Sequence, residues 1–183
     1  MAQEITHVRD LLPRLVCREN AIVLEAWLRW RGEQLLPSRK DVRPQDIKPS
    51  LPWIVIHQPI DANTSILRLI GTGLVSLTGF DPTGRNHRDI TAPDHWPERS
   101  RRSLHMINRP CAGYSAYGRL TAGALTTAFE AINLPLDNGD GPSKRLILSS
   151  TVPLSNGIHV PHTAPTYILP TEAFQFVDIG AGR

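Results

Sequence analysis

Two cysteines in 183 residues, Cys17 and Cys111, are too few and too far apart for a disulfide framework or a zinc site. They fit a reducing compartment. No apolar run approaches the ~18 residues of a membrane span, and the opening residues MAQEITHVRD lack the apolar segment of a secretory leader. No membrane association is therefore expected, and the cytoplasm is the expected location. A large excess of one charge is also missing: the net charge is +3, and the basic residues are dispersed. Nucleic acid is not an expected partner on that balance. The chain has no HExxH, GxSxG, phosphate-loop or Cys-x-x-Cys pattern, so no nucleophile or metal constellation can be named and no catalytic activity is expected. Internal repeats and low-complexity segments are absent too. Proline, by contrast, is plentiful: 16 residues, above the ~5% usual, imply short elements joined by defined turns. The length suits one domain, 1–183, with residues 1–52 as a helical extension at its start.

The most informative stretch is Ser65 to Gly84, SILRLIGTGLVSLTGFDPTG. Ser65–Ile70 is β-branched and aliphatic around one arginine, which predicts a buried strand. Gly71 stops it. Thr72 is the expected cap of a short helix whose Leu74 and Leu77 touch one apolar surface, and Gly79 ends that helix. Asp81-Pro82-Thr83-Gly84 is turn chemistry. Gly71-Thr72-Gly73 after a strand is reminiscent of a dinucleotide loop, but Ser76 stands where the third glycine belongs and no βαβ unit follows.

Along the rest of the chain, residues 1–16 carry a helical apolar stripe interrupted by Pro13, which predicts a short helix. Asn20 is the expected N-cap of a stronger helix over 21–31, with Trp27 and Trp30 on its apolar face and Gly32 as its stop. One or two helical turns are expected within 41–51. Trp53–Ile60 and the strand from Ser65 form an antiparallel pair across Asp61-Ala62-Asn63. Both strands are apolar on two faces, so the tryptophan helix is expected to cover the far one. A helix from about Pro93 or Trp96 to Asn108 follows, with Asp94 near its start as a dipole partner or cap and Arg99, Arg101, Arg102 and Arg109 on what reads as a solvated face. Strands are expected over 112–120, 125–136, 145–154 and 174–179. The order gives an α+β domain with an antiparallel sheet.

Two strands, a cluster of short helices and a three-stranded meander is also the element order of Per-Arnt-Sim (PAS) domains. The runs WLRWRGEQLLPSRKDVRPQDIKPSLPWIVI, LRLIGTGLVSLTGFDPTG and INLPLDNGD sharpen the likeness. A helix with an aromatic before Arg-Gly, a Leu-Pro-Ser-Arg connector, an Arg-x-x-Gly-Thr strand end, a Thr-Gly turn and a Pro-Leu strand end occur in order within residues 27–139. In this the chain resembles a PAS-like family of bacterial proteins. The resemblance implies a PAS-like antiparallel sheet of about five strands, with short helices on one face and an N-terminal helical extension. It also implies a stand-alone sensory or regulatory module of signal transduction, with a small-molecule ligand between sheet and helices or a signalling partner protein.

In that arrangement the expected ligand pocket is lined by Ile56, Arg68, Leu69, Leu74, Leu77, Trp96, Leu104, Tyr114 and Tyr117. Arg68 shares a strand face with Ile66 and Ile70, so it is expected to meet a carboxylate or an anionic ligand. The alternative reading is an interaction module without ligand, dimerising or docking through Trp27 and Trp30. An enzyme of unrecognised type is a third. No cofactor is assigned. A covalent flavin site would need a cysteine where GRNHRDI has His87, and His87, His95 and His105 near the same region read as structural rather than as haem ligands.

Overall fold

A computed structural model of the chain describes residues 5–122, 125–139, 141–154, 166–169 and 174–182. Seven strands form one antiparallel sheet: β1 (Ile54–Asp61), β2 (Thr64–Ile70), β3 (Cys111–Ala122), β4 (Leu125–Leu136), β5 (Leu146–Pro153), β6 (Thr166–Leu169) and β7 (Phe174–Asp178). The spatial order is β2-β1-β5-β4-β3, and the free side of β3 is then shared by two short strands. Strand β7 pairs with Cys111–Ser115 and β6 with Arg119–Ala122. The helices are α1 (Arg18–Arg31), α2 (Thr72–Thr78) and α3 (Trp96–Asn108), with 3-10 turns between them. The expected α+β architecture is thus present, and β6 is an addition to it.

Helices lie on both faces of the sheet, α1 packing closely on the outer one and α2 and α3 lying over part of the inner one. On the outer face Ile54, Ile132, Leu134, Leu136, Leu146 and Leu148 meet Val23, Leu24, Ala26 and Trp27 of α1, together with Val8 and Leu11 of the preceding 3-10 helix. Each such aliphatic side chain contributes about 1.5–3 kcal/mol on burial, so this layer carries most of the core. The tryptophan helix covers the far face as its composition predicts. Its start differs from expectation: Cys17, not Asn20, is the N-cap, and Asn20 lies inside α1 with its amide turned to Glu130.

Glu130 explains that shift. It projects from β4 to the outer face, 1% exposed, and accepts from the Val16 and Cys17 backbone N–H groups at 2.8 Å each and from Asn20 Nδ2 at 2.9 Å. The two amides belong to the residues just ahead of the first helical turn, so the carboxylate fixes the path of the chain into α1.

The glycine corner after β2 is built for close approach. Gly71 donates its N–H to the Ile54 carbonyl at 2.7 Å, and a Cβ on it would lie 2.4 Å from the Pro52 carbonyl oxygen. A Cβ on Gly73 would lie 2.9 Å from the same oxygen. These glycines therefore serve a chain crossing. Gly71 is the N-cap of α2, and Thr72, the expected cap, is its first helical residue. The 3-10 turn Pro93–His95 leads into α3, whose N-cap is His95, so Asp94 does not cap it.

Candidate functional site

The inner face of the sheet, opposite α1, is unusually polar. Alternation along each strand brings His57 and Val55 of β1, Ile147, Ser149 and Thr151 of β5, Ala131 and Asn133 of β4, and Gly113 and Ser115 of β3 to this side. The contacts agree: a Cβ on Gly113 would lie 3.0 Å from Met106 of α3, and Ile147 packs with Met106 and Ile107. Asn133 lies directly between Ser149 and Gly113 in the pairing, and Ser149 Oγ donates to Asn133 Oδ1 at 2.6 Å. Although β4 is a central strand, Ala131 and Asn133 are only half-buried, as are Thr151 and Val55. Helices α2 and α3 therefore do not seal this face.

At one side of the same face lies a buried cluster of nitrogen bases. Backbone bonds from Leu67 to the Arg85 carbonyl and from Gly84 to the Leu67 carbonyl lay the chain along the free edge of β2. Asn86 then caps a 3-10 turn, His87–Ile90, and His87 is set down against His57 with ring centroids 5.2 Å apart. His57 Nδ1 and Ser65 Oγ share a hydrogen bond of 2.9 Å, and His87 Nε2 meets Arg99 Nη1 of α3 at 2.9 Å. Burial, reinforced by the Arg99 guanidinium, pushes His57 down to about 3. His87 is pushed down by burial, Arg99 and His57. Both rings are accordingly neutral near pH 7. Burial and the neighbouring Arg102 lower Arg99 to about 10, which still leaves it charged.

The element order now stands in three dimensions: two strands, a run of short helices, then a three-stranded meander. A family model described as PAS domain matches residues 17–147, most of the chain. This chain belongs to the PAS domain family. No curated protein matches it closely. In this PAS domain the matched span begins at Cys17 and so takes in α1 as well as β1 to β4 and the start of β5.

The residues singled out from the sequence fall in several places. Leu74 is buried and Leu77 half-buried, packed with Phe129, Trp53, Val55 and Ile70 on the inner side. Trp96 is buried and donates its indole N–H to the Ala62 carbonyl at 2.8 Å. Together with Leu104 it borders a groove of about 610 Å3 between α3, the β1–β2 turn and Arg88, separate from the inner face. Ile56 and Tyr114 point the other way, into the layer under α1, and the Tyr114 hydroxyl is 3.4 Å from Glu130 Oε1. Arg68 is exposed and bonds Gln58 Oε1 at 2.7 and 3.2 Å; among the described residues it meets no carboxylate, and it does not face the inner side. Leu69, the cross-strand partner of Ile56, is 42% exposed. Tyr117 lies on β3, and its side chain is outside the described residues.

Trp27 and Trp30 serve the chain's own packing. Trp27 is fully buried with its indole N–H on the Pro135 carbonyl at 2.9 Å, and the half-buried Trp30 donates to Asp46 Oδ2 at 2.8 Å. What the sequence reading did not single out is the set Ser115, Asn133, Ser149 and Thr151 with Arg99. The signal was the small polar residues recurring at alternate positions within strands otherwise rich in Leu and Ile. Among the described residues, no group of three or more His, Cys, Asp and Glu is placed to hold a metal ion, and no helix is long and apolar enough to cross a membrane.

Proposed function

We propose that this PAS domain is a cytoplasmic sensory or regulatory module, without catalytic activity, that binds a small molecule over the inner face of its sheet. One observation carries the reading: Ala131 and Asn133, in the middle of a central strand, stay half-exposed beneath the helices. Serine, threonine and asparagine side chains beside apolar Val55 and Leu77 are the mixture by which a small-ligand site fixes orientation. Mass spectrometry of the small molecules released from purified protein tests it, together with a thermal-shift screen of a metabolite library. A compound that co-purifies, or that raises the melting temperature and loses its effect in Asn133→Leu, supports ligand sensing. A protein that carries and binds nothing in either assay defeats it.

The interaction reading draws on a different surface. Ile56 and Leu69 pair across β1 and β2 on the outer face, and α1 leaves Leu69 exposed. Sedimentation of the wild type and Leu69→Glu distinguishes the cases: a dimer that the glutamate dissolves supports contact through this hairpin, and a monomer at high concentration removes the homodimer.

A further inference from the structure

We propose that the ligand carries one negative charge, as a carboxylate, and that Arg99 binds it. The inference rests on the ligand-binding reading above and assigns the chemistry of that site. Arg99, Arg101 and Arg102 are close neighbours on α3 and have different fates. Glu98 takes Arg101 at 2.7 Å and Arg102 at 2.6 Å, and the Arg102 guanidinium also lies over the Phe174 ring. Arg99 has no carboxylate within ion-pair distance among the described residues, and its hydrogen bond goes to His87 Nε2. A half-buried guanidinium with only a neutral imidazole to face is a charge in want of a counter-ion.

The neighbouring groups add donors and no anion. Because His87 Nε2 accepts from Arg99, its proton sits on Nδ1, and that buried N–H has no acceptor among the described residues. His87 is 4% exposed, so water does not readily supply one. His57 is neutral and already engaged with Ser65. An oxyanion satisfies the guanidinium N–H groups that His87 leaves free.

The cluster and the polar sheet belong to one site. Arg99, Ser103 and Met106 follow at helical spacing on α3, and Met106 lies over Gly113 on the inner face. Strand spacing of ~4.8 Å and a rise of ~3.3 Å per residue put the His57 and Asn133 backbones on the order of 12 Å apart, the span of a small organic acid with a polar tail. One guanidinium offsets one charge. A phosphate dianion would leave a second charge beside two neutral histidines, whereas a carboxylate matches the planar guanidinium fork.

Calorimetry and thermal shift on the full chain test this, with a panel of small monocarboxylates, their amides and alcohols, and phosphomonoesters. Expected are binding of one or more carboxylates, no binding of their neutral counterparts, and affinity about ten- to a hundredfold weaker in Arg99→Gln. The exposed Arg109→Gln should bind as wild type. Neutral compounds binding as tightly as acids, or carboxylates held unchanged by Arg99→Gln, would overturn the charge assignment and leave ligand sensing intact. Binding of phosphomonoesters alone overturns the carboxylate. Absence of any ligand, bound or co-purified, defeats ligand sensing and this inference with it. The wild-type comparison of acid with amide decides the matter even if the Arg99 variant does not fold.

Discussion

The Glu130 carboxylate on β4 takes the Cys17 backbone N–H at 2.8 Å, so the first residue ahead of α1 is fastened to the middle of the sheet. Two backbone N–H groups, the Asn20 amide and, at 3.4 Å, the Tyr114 hydroxyl converge on that one carboxylate, and no cation lies within ion-pair distance of it among the described residues. Glu130→Gln replaces an acceptor by an amide that turns a donor toward those donors. A loss of about 2–4 kcal/mol of stability is expected in urea unfolding, because buried donors lose a charged acceptor. A loss below about 0.5 kcal/mol would contradict the role given to Glu130.

Gly71 predicts a reversal of sign. At φ −67 its backbone suits any residue, and Gly→Ala at such a site ordinarily stabilises by ~0.4–1 kcal/mol. Here the new methyl would meet two backbone carbonyl oxygens, at 2.4 and 2.5 Å. Gly71→Ala should therefore destabilise, by about 1–3 kcal/mol. Denaturant midpoints for the variant and wild type check this.

The neutral histidine pair makes stability depend on pH. In the unfolded chain each ring titrates near 6.5, whereas folding pushes His57 down to about 3 and His87 down as well. Above pH ~6.5 neither state binds these protons and the pair costs nothing. As pH falls below that value the unfolded chain gains protons that the native chain refuses. Stability is lost progressively toward the folded pKa, by up to about 1.4 kcal/mol per histidine per pH unit. Urea unfolding between about pH 7.5 and 4.5 should show this decline, and His57→Gln should make it shallower. An equal slope in the variant would exclude His57 as a source.

Both thiols should be inert in the native protein. Burial, with the Glu130 carboxylate close by, pushes Cys17 up to about 12, and burial beside Asp178 pushes Cys111 up to about 11. Iodoacetamide near pH 8 should label neither at an appreciable rate until denaturant is added, since the thiolate is the nucleophile. Rapid labelling of folded protein would refute that picture.

The strands, the covering of the far face by the tryptophan helix and the glycine corner were legible because each leaves a local mark: β-branched runs, a stripe of large apolar residues, paired glycines. The site was less so. Choosing Ile56 and Tyr114 rather than Val55, Gly113 and Ser115 is a register error of one residue, and one residue carries a side chain to the opposite face. Arg68 was read as buried, but the outer face is open at β2, where Leu69 is exposed too, and the guanidinium bonds Gln58 there. Arg99 was hidden among the charges of PERSRR, where helical spacing alone does not say which arginine turns inward. Asn20 was read as a cap because the better acceptor, Glu130, is more than a hundred residues away in sequence.

The alternation along β4 has a mechanical meaning. Glu130 and Ile132 belong to the layer under α1, while Ala131 and Asn133 interleave with them on the opposite side. Two compartments are thus divided by a partition a single polypeptide thick, and the same peptide units form both walls. Asn133 and Glu130 stand three residues apart on that strand, so the polar inner face and the fastening of the α1 start share one short run of backbone.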